Sequence, residues 1–305
     1  MDGVIVAENL RHVYRGGTVA LDGIDLQIHT GLFGLLGSNG AGKSTFMRIL
    51  CTLLTPTQGR VLVGGLNVVT QRREVRRLFG YLPQEFGAWR LVRVEEVLNT
   101  LALLSGLDDA RTRKQRIARV LAAVGLEKVA ERKVKQLSGG MLRRLGVAQA
   151  LVHEPKVLIM DEPTVGLDPE ERLRFRQLMA ELSRDRIIIL STHIVADLGS
   201  GCSDLALIDR GQLQFRGAPS ELIALARNKV CELTVAAGAE AEASERLEIV
   251  ARTVRNGAVT LRGVARDQVI PAGARVVDEI TLEEAYLAFM AGRGRHVEEL
   301  AMTDN

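Results

Sequence analysis

The chain has 305 residues, 40 basic and 37 acidic, a formal net charge of +3 and 47% apolar residues. That length and apolar content suit one large α/β domain with a smaller appendage and exclude extensive disorder, while the near-balanced charge gives no overall case for a nucleic-acid partner. No apolar run approaches the roughly 20 residues of a membrane span, and "MDGVIVAENLRHVYRGG" has no basic start before a long apolar core, so the expectation is a soluble, unexported chain.

In chain order, "GVIVAENL" and "ALDGIDLQI" read as strands; in the second, Ile24, Leu26 and Ile28 alternate with Asp25 and Gln27. The apolar run "GLFGLLG" enters a glycine loop, "GSNGAGKST", at Gly37 to Thr45. It is followed by "KSTFMRILCTLL", where Phe46, Ile49, Leu50, Leu53 and Leu54 fall on one helical face. "GRVLVGG" and "FGYLPQ" read as further strands. The pattern is then helical from about Val94 to His153, and the basic clusters "QRREVRR" and "RTRKQR" read as solvated helix faces. Within that block "QLSGGMLRR" places Ser138, Gly139 and Gly140 at a helix start, where unpaired N–H groups and the helix dipole make an anion seat.

Unbroken apolar strands return as "KVLIMDEP" and "RIIILSTH", separated by the helical "ERLRFRQLMAELS", as in a parallel sheet covered on both faces. "LALIDRGQLQFRG" reads as a hairpin turning at Asp209 to Gly211. From about Lys229 the character changes to an alanine-rich polar spacer, "AAGAEAEASE", then alternating runs such as "AVTLRG", then "TLEEAYLAFM" with Thr281 and Glu284 as a capping box. Cys51, Cys202 and Cys231 are far apart, odd in number and match no metal spacing, which suggests burial in a reducing compartment.

The chemistry concentrates at strand ends. "GSNGAGKS" fits glycine, four residues, glycine, lysine, serine or threonine, between a strand and a helix. Glycines let the backbone curl with its N–H groups inward around phosphates; Lys43 would neutralise the β and γ phosphates and Ser44 would ligate Mg²⁺. Asp161, ending the strand "VLIMD", is placed to hold the hydrated Mg²⁺, and Glu162 to orient or deprotonate an attacking water. His193, after another buried strand, can reach the γ-phosphate region, and Gln84 can bridge Mg²⁺ or water to the helical segment that follows.

Taken together, these motifs resemble the nucleotide-binding subunit of an ATP-binding-cassette (ABC) transporter over about Val4 to Gly217. "GSNGAGKST" resembles the Walker A loop (Gly37, Ser38, Asn39, Gly40, Ala41, Gly42, Lys43, Ser44, Thr45), Gln84 the Q-loop, and "LSGGM" the family signature. "VLIMDEP" resembles the Walker B strand with its acid, "GLDP" with Asp168 the D-loop, and His193 the switch histidine. Tyr14 falls where the family places an aromatic ring against adenine. Met141 departs from the usual glutamine of the signature, and methionine can continue the helix there.

The resemblance implies a P-loop nucleotide hydrolase α/β core with a mostly parallel sheet and an antiparallel β lobe. A helical lobe over about 86–155 carries the signature, and a small β-containing C-terminal appendage follows. Residues 1–226 would form the ATPase domain and 227–305 an accessory domain. It implies ATP and Mg²⁺ as ligands and a second cassette, as a homodimer, in which Ser138, Gly139 and Gly140 serve the partner's ATP. It also implies polytopic membrane subunits docked near Gln84 to Arg90, where "EFGAWRL" offers Phe86 and Trp89. The ending "ITLEEAYLAFM" resembles cassettes serving ABC-2 type membrane partners, often exporters, which would set the chain on the cytoplasmic face of the cell membrane. The alternative is a soluble ABC ATPase driving a non-transport machine. Against it stand the single cassette and the lack of a long heptad insertion.

Overall fold

The computed structural model describes residues 4–192, 195–198, 201–255, 257–267 and 269–295. The chain divides into two compact units, residues 1–193 with 197–216 and residues 194–196 with 217–305.

In the first unit, β1 (Val4–Val13), β2 (Val19–His29), β4 (Gln58–Val63) and β5 (Leu66–Asn67) form an antiparallel sheet in the order β2-β1-β4-β5. A second sheet takes β3 (Gly31–Leu36), β6 (Phe79–Leu82), β7 (Val157–Asp161), β8 (Ile187–Thr192), β9 (Cys202–Asp209) and β10 (Gln212–Gly217), in the order β10-β9-β3-β8-β7-β6. From β9 to β6 its neighbours run parallel. Arg210 and Gly211, with φ of 48° and 76°, make the two-residue turn of a hairpin between β9 and β10.

Parallel pairing fixes where the chemistry goes. Leu36 pairs with Thr192, Asp161 with Ser191 and Leu82 with Met160. The glycine loop after β3, Glu162 after β7 and Gln84 after β6 therefore emerge at one carboxyl edge, where ligands bind in such sheets. The strands are unbroken apolar runs because both faces are covered. Phe33, Leu35, Ile159 and Ile189 join a core with Ile5, Leu26 and Val61 of the antiparallel sheet. Leu158, Met160, Ile188 and Leu190, alternating with them, are equally buried.

Helix α1 (Lys43–Leu50) contributes Phe46, Met47, Ile49 and Leu50 to that core. It is shorter than the apolar pattern suggests. The chain leaves helical geometry at Thr52, with φ of 60°, and Leu53 is 60% exposed rather than packed on the helix's inner face. The basic helix α2 (Arg72–Leu78) buries only Val75, so its arginines form a solvated face.

The helical lobe comprises α3 (Val94–Leu104), α4 (Ala110–Ala123) and α5 (Gly139–Leu151), which pack on one another around Val97, Leu98, Val120, Leu121 and Leu145. Helix α6 (Pro169–Leu182) follows β7 and buries Phe175 and Met179.

In the second unit α7 (Pro219–Leu225) packs on α9 (Leu282–Ala291). Strands β11 (Val230–Ala236), β12 (Leu247–Arg255), β13 (Ala258–Ala265) and β14 (Arg275–Val276) form an antiparallel sheet in the order β12-β13-β11-β14. The stretch expected to be a polar spacer instead contains the short helix α8 (Glu240–Arg246), consistent with the high helix propensity of alanine and glutamate. Thr281 and Glu284 do form a reciprocal capping box. Buried Glu284 also takes two hydrogen bonds from the Arg262 guanidinium. Among the described residues no helix is long and apolar enough to cross a membrane.

Candidate functional site

The glycine loop depends on missing side chains. A Cβ at Gly37 would lie 2.3 Å from the carbonyl oxygen of Ile208; one at Gly42, where φ is +111°, would lie 2.5 Å from that of Ala20. Both positions therefore require glycine. The loop is braced from the distant hairpin, whose Gly211 N–H donates to the Ala41 carbonyl at 2.8 Å. No side chain caps α1 at Gly42, which leaves the first-turn amides to a ligand.

Lys43, only 5% exposed, lies inside the loop and donates to the carbonyls of Gly37 at 2.6 Å and Ser38 at 3.0 Å. Burial lowers the pKa of its ammonium, and the negative charges of Glu162 and Asp161 raise it in opposition. The loop carbonyls hold the ammonium as neutral acceptors, and an anion in the loop would be a stronger partner.

Ser44, one residue on, donates its hydroxyl to Oδ2 of Asp161 at 3.0 Å. A hydroxyl and a carboxylate meeting at a loop with inward N–H groups fit Mg²⁺, which takes hard oxygen ligands and few protein groups. Glu162 is 3% exposed and takes φ of 47°, unusual for a residue with a Cβ. Its N–H donates to the Ser191 carbonyl at 3.0 Å, and its own carbonyl accepts from Arg143 at 2.7 Å. Such a conformation, costing about 1–3 kcal/mol, persists where the surroundings fix it.

Tyr14 is held at the mouth of the loop. Its hydroxyl is 3.0 Å from Oγ1 of Thr45, and its ring meets His12 edge-on at 4.7 Å between centroids. Tyr14, loop residues 38–45, Gln84, Asp161 and Glu162 line one cleft of about 250 Å³. An aromatic face, a cationic phosphate cradle, a metal-type oxygen pair and an adjacent carboxylate are thus brought together, with Gln84, from four segments.

Other candidates lie apart from that cleft. Ser138 is the exposed N-cap of α5, its Oγ accepting from the Met141 N–H at 3.2 Å; Gly139 is exposed and Gly140 half-buried beside Glu171. Asp168 is exposed and caps α6, accepting from the Glu171 N–H at 2.9 Å. His193 lies outside the described residues. Phe86 packs against Gly146, whereas Trp89 is 51% exposed.

Two features were not expected from the sequence. Arg143 is buried and bonds to five backbone carbonyls around the cleft. Its detectable signal was its place on α5 one turn before Gly146 and Val147, on the buried stripe. The Thr164 hydroxyl donates to Asp197, both buried, fastening the segment after Glu162 to the turn beyond β8.

A model of the ABC transporter family matches residues 21–165. The Nod factor export ATP-binding protein I of Cupriavidus metallidurans is 39% identical over 225 residues, which span 73% of this chain and 74% of that protein. Among solved structures, cbiO1 from Clostridium perfringens, part of the ABC transporter complex cbiONQ, superposes with a TM-score of 0.66 at 29% identity. The match covers 73% of this chain and 92% of that one. The dimeric bacterial ABC transporter cassette MJ0796 superposes with a TM-score of 0.64 at 25% identity, over 70% of this chain and 98% of that one.

Proposed function

The chain belongs to the ABC transporter family, as an ATP-binding, ATP-hydrolysing subunit of the kind that dimerises and works with membrane subunits, and on that premise we propose the work of its own residues. The observation that carries the reading is the Ser44 to Asp161 hydrogen bond beside the loop that encloses Lys43. Lys43 passes its hydrogen bonds from the carbonyls of Gly37 and Ser38 to the β and γ phosphates of ATP. The N–H groups of the loop from Gly37 to Thr45 take the remaining phosphate oxygens, and Tyr14 stacks on the adenine. Ser44, Asp161 and Gln84 hold Mg²⁺, which supplies polarisation of the phosphate oxygens.

Glu162 orients the attacking water and accepts its proton as the water oxygen bonds to the γ-phosphorus and the bond to ADP breaks. To His193 we assign a contact with the γ-phosphate, the role its place in the "STH" motif implies. Ser138, Gly139 and Gly140 supply a hydroxyl, backbone N–H groups and the helix start to the ATP held by a second copy, with Asp168 near the same junction. Two copies thus close over two nucleotides, and losing the γ-phosphate removes contacts to both chains.

In this reading residues 1–226 form the ATPase domain and 227–305 an accessory domain, while α7, within the first of these ranges, packs on α9 in the second compact unit. The membrane partner is of the ABC-2 type, reached through the Gln84 to Arg90 segment with its exposed Trp89, and the chain sits on the cytoplasmic face of the cell membrane. Export is the direction favoured, supported by the name of the Cupriavidus relative. The test is hydrolysis per chain on dilution: a two-copy site requires the rate to fall as dimers separate. A rate independent of concentration in a monodisperse monomer overturns it. Co-purification with a polytopic membrane protein tests the transport half.

A further inference from the structure

Helix α5 begins with Ser138 to Gly140 and, one turn later, sends Arg143 back into its own chain. The guanidinium donates from Nη1 to the carbonyls of Pro83 at 3.1 Å and Gln84 at 2.9 Å, and from Nη2 to those of Asp161 at 3.0 Å and Glu162 at 2.7 Å. Its Nε donates to Pro163 at 2.8 Å. All five acceptors are backbone oxygens, so the fork reads the path of two strand ends rather than any side chain. Lysine cannot reproduce this, because a compact ammonium has three donors and no planar fork.

The geometry of Glu162 needs such a clamp. Its left-handed backbone conformation is held at one end by the bond from its N–H to Ser191 and at the other by Arg143 on its carbonyl. Releasing the carbonyl lets the peptide relax toward ordinary φ, which swings the direction of the carboxylate. The same guanidinium fixes the carbonyl of Gln84, so both residues share one support.

We propose that Arg143 is a positioning residue that sets the aim of Glu162 and the place of Gln84 from within the helix that carries Ser138. This rests on the reading of Glu162 as the residue that handles the attacking water. Arg143 touches no substrate; it acts through the two strand ends.

The test compares Arg143→Met and Arg143→Lys in the full chain, with Glu162→Gln alongside. In the Met variant kcat falls about 100-fold, the scale of a small misplacement of a reacting group, while the Kd for ATP stays within about twofold. The Lys variant recovers part of the loss. Without nucleotide, amide exchange across residues 159–168 quickens in the Met variant while that of β1 and β2 stays unchanged.

Wild-type kcat with unchanged exchange in the Met variant overturns the proposal. So does a Kd that weakens in step with kcat, or exchange that rises throughout the chain, since either marks a merely structural role. If the Met variant does not fold, the Lys variant decides by the same three readouts, and their all matching wild type overturns the proposal. If Glu162→Gln hydrolyses ATP normally, the reading of Glu162 fails, whatever Arg143 does. If that variant is inactive and Arg143→Met is normal, the positioning proposal alone fails.

Discussion

The hydroxyl of Tyr14 lies 3.0 Å from Oγ1 of Thr45, a residue of the loop helix 31 positions further along the chain. The bond orients an aromatic face at the mouth of the phosphate loop. Stacking of a base on an aromatic ring is worth about 1–3 kcal/mol, so Tyr14→Ala should weaken ATP binding about 5- to 150-fold. Tyr14→Phe keeps the ring, loses only the hydroxyl bond, and should stay within about fivefold of wild type. Calorimetric titration distinguishes the two; equal losses would place the energy in the hydroxyl rather than the ring.

Glu162→Gln should keep the affinity for ATP and lower turnover by about 10² to 10⁴, the usual contribution of a positioned general base. With hydrolysis blocked, the closed pair should accumulate as a dimer on size-exclusion chromatography in ATP but not in ADP. Monomer in both nucleotides would argue against ATP-driven closure.

Ser138→Arg separates the two halves of the composite site. The substitution removes an N-cap, costing about 1 kcal/mol of helix stability, and places a bulky side chain where the second copy must approach. ATP affinity of the isolated chain should be unaffected, because Ser138 does not line the Lys43 cleft. Turnover should fall about 100-fold, as when a donor to developing charge is lost. Equal activity in the variant would remove the helix start from the mechanism.

Burial pushes the Cys202 thiol up to about 11 and raises that of Cys51 further. Both thiols therefore remain protonated at pH 8 in the folded chain, and a thiolate-specific disulfide reagent should label them far more slowly than in urea. The sign for stability follows. The unfolded thiol ionises first as pH rises past its ordinary value of about 8.5, so stability is lost between there and about 11. Urea midpoints at pH 8 and pH 10.5 should differ in that direction, and by less in Cys202→Ala.

The phosphate loop, the acids after β7 and the parallel sheet were legible because each is a local pattern: glycine spacing, an unbroken apolar run, a carboxylate at its end. Pairing of Leu36 with Thr192 and Asp161 with Ser191 then needed only the rule that parallel strands share an edge. What stayed hidden depended on long-range contacts or on one backbone angle. Beyond its place on α5, Arg143 carries no signal of its role in the sequence because its acceptors are carbonyls up to 60 positions away, and carbonyls leave no trace there. The end of α1 was misjudged because apolar spacing continues to Leu54, while the left-handed turn at Thr52 carries no glycine to announce it. Helix α8 is hard to see because its alanine and glutamate residues show their polarity more plainly than their helix-forming tendency.

The bond from Gly211 to Ala41 sets an order on biosynthesis. The nucleotide loop spans positions 37–45, yet one of its struts is translated some 170 residues after it. A nascent chain stalled before that hairpin would display the whole consensus with its mould unfinished. Nucleotide capture on the ribosome should therefore begin only once the hairpin has cleared the exit tunnel.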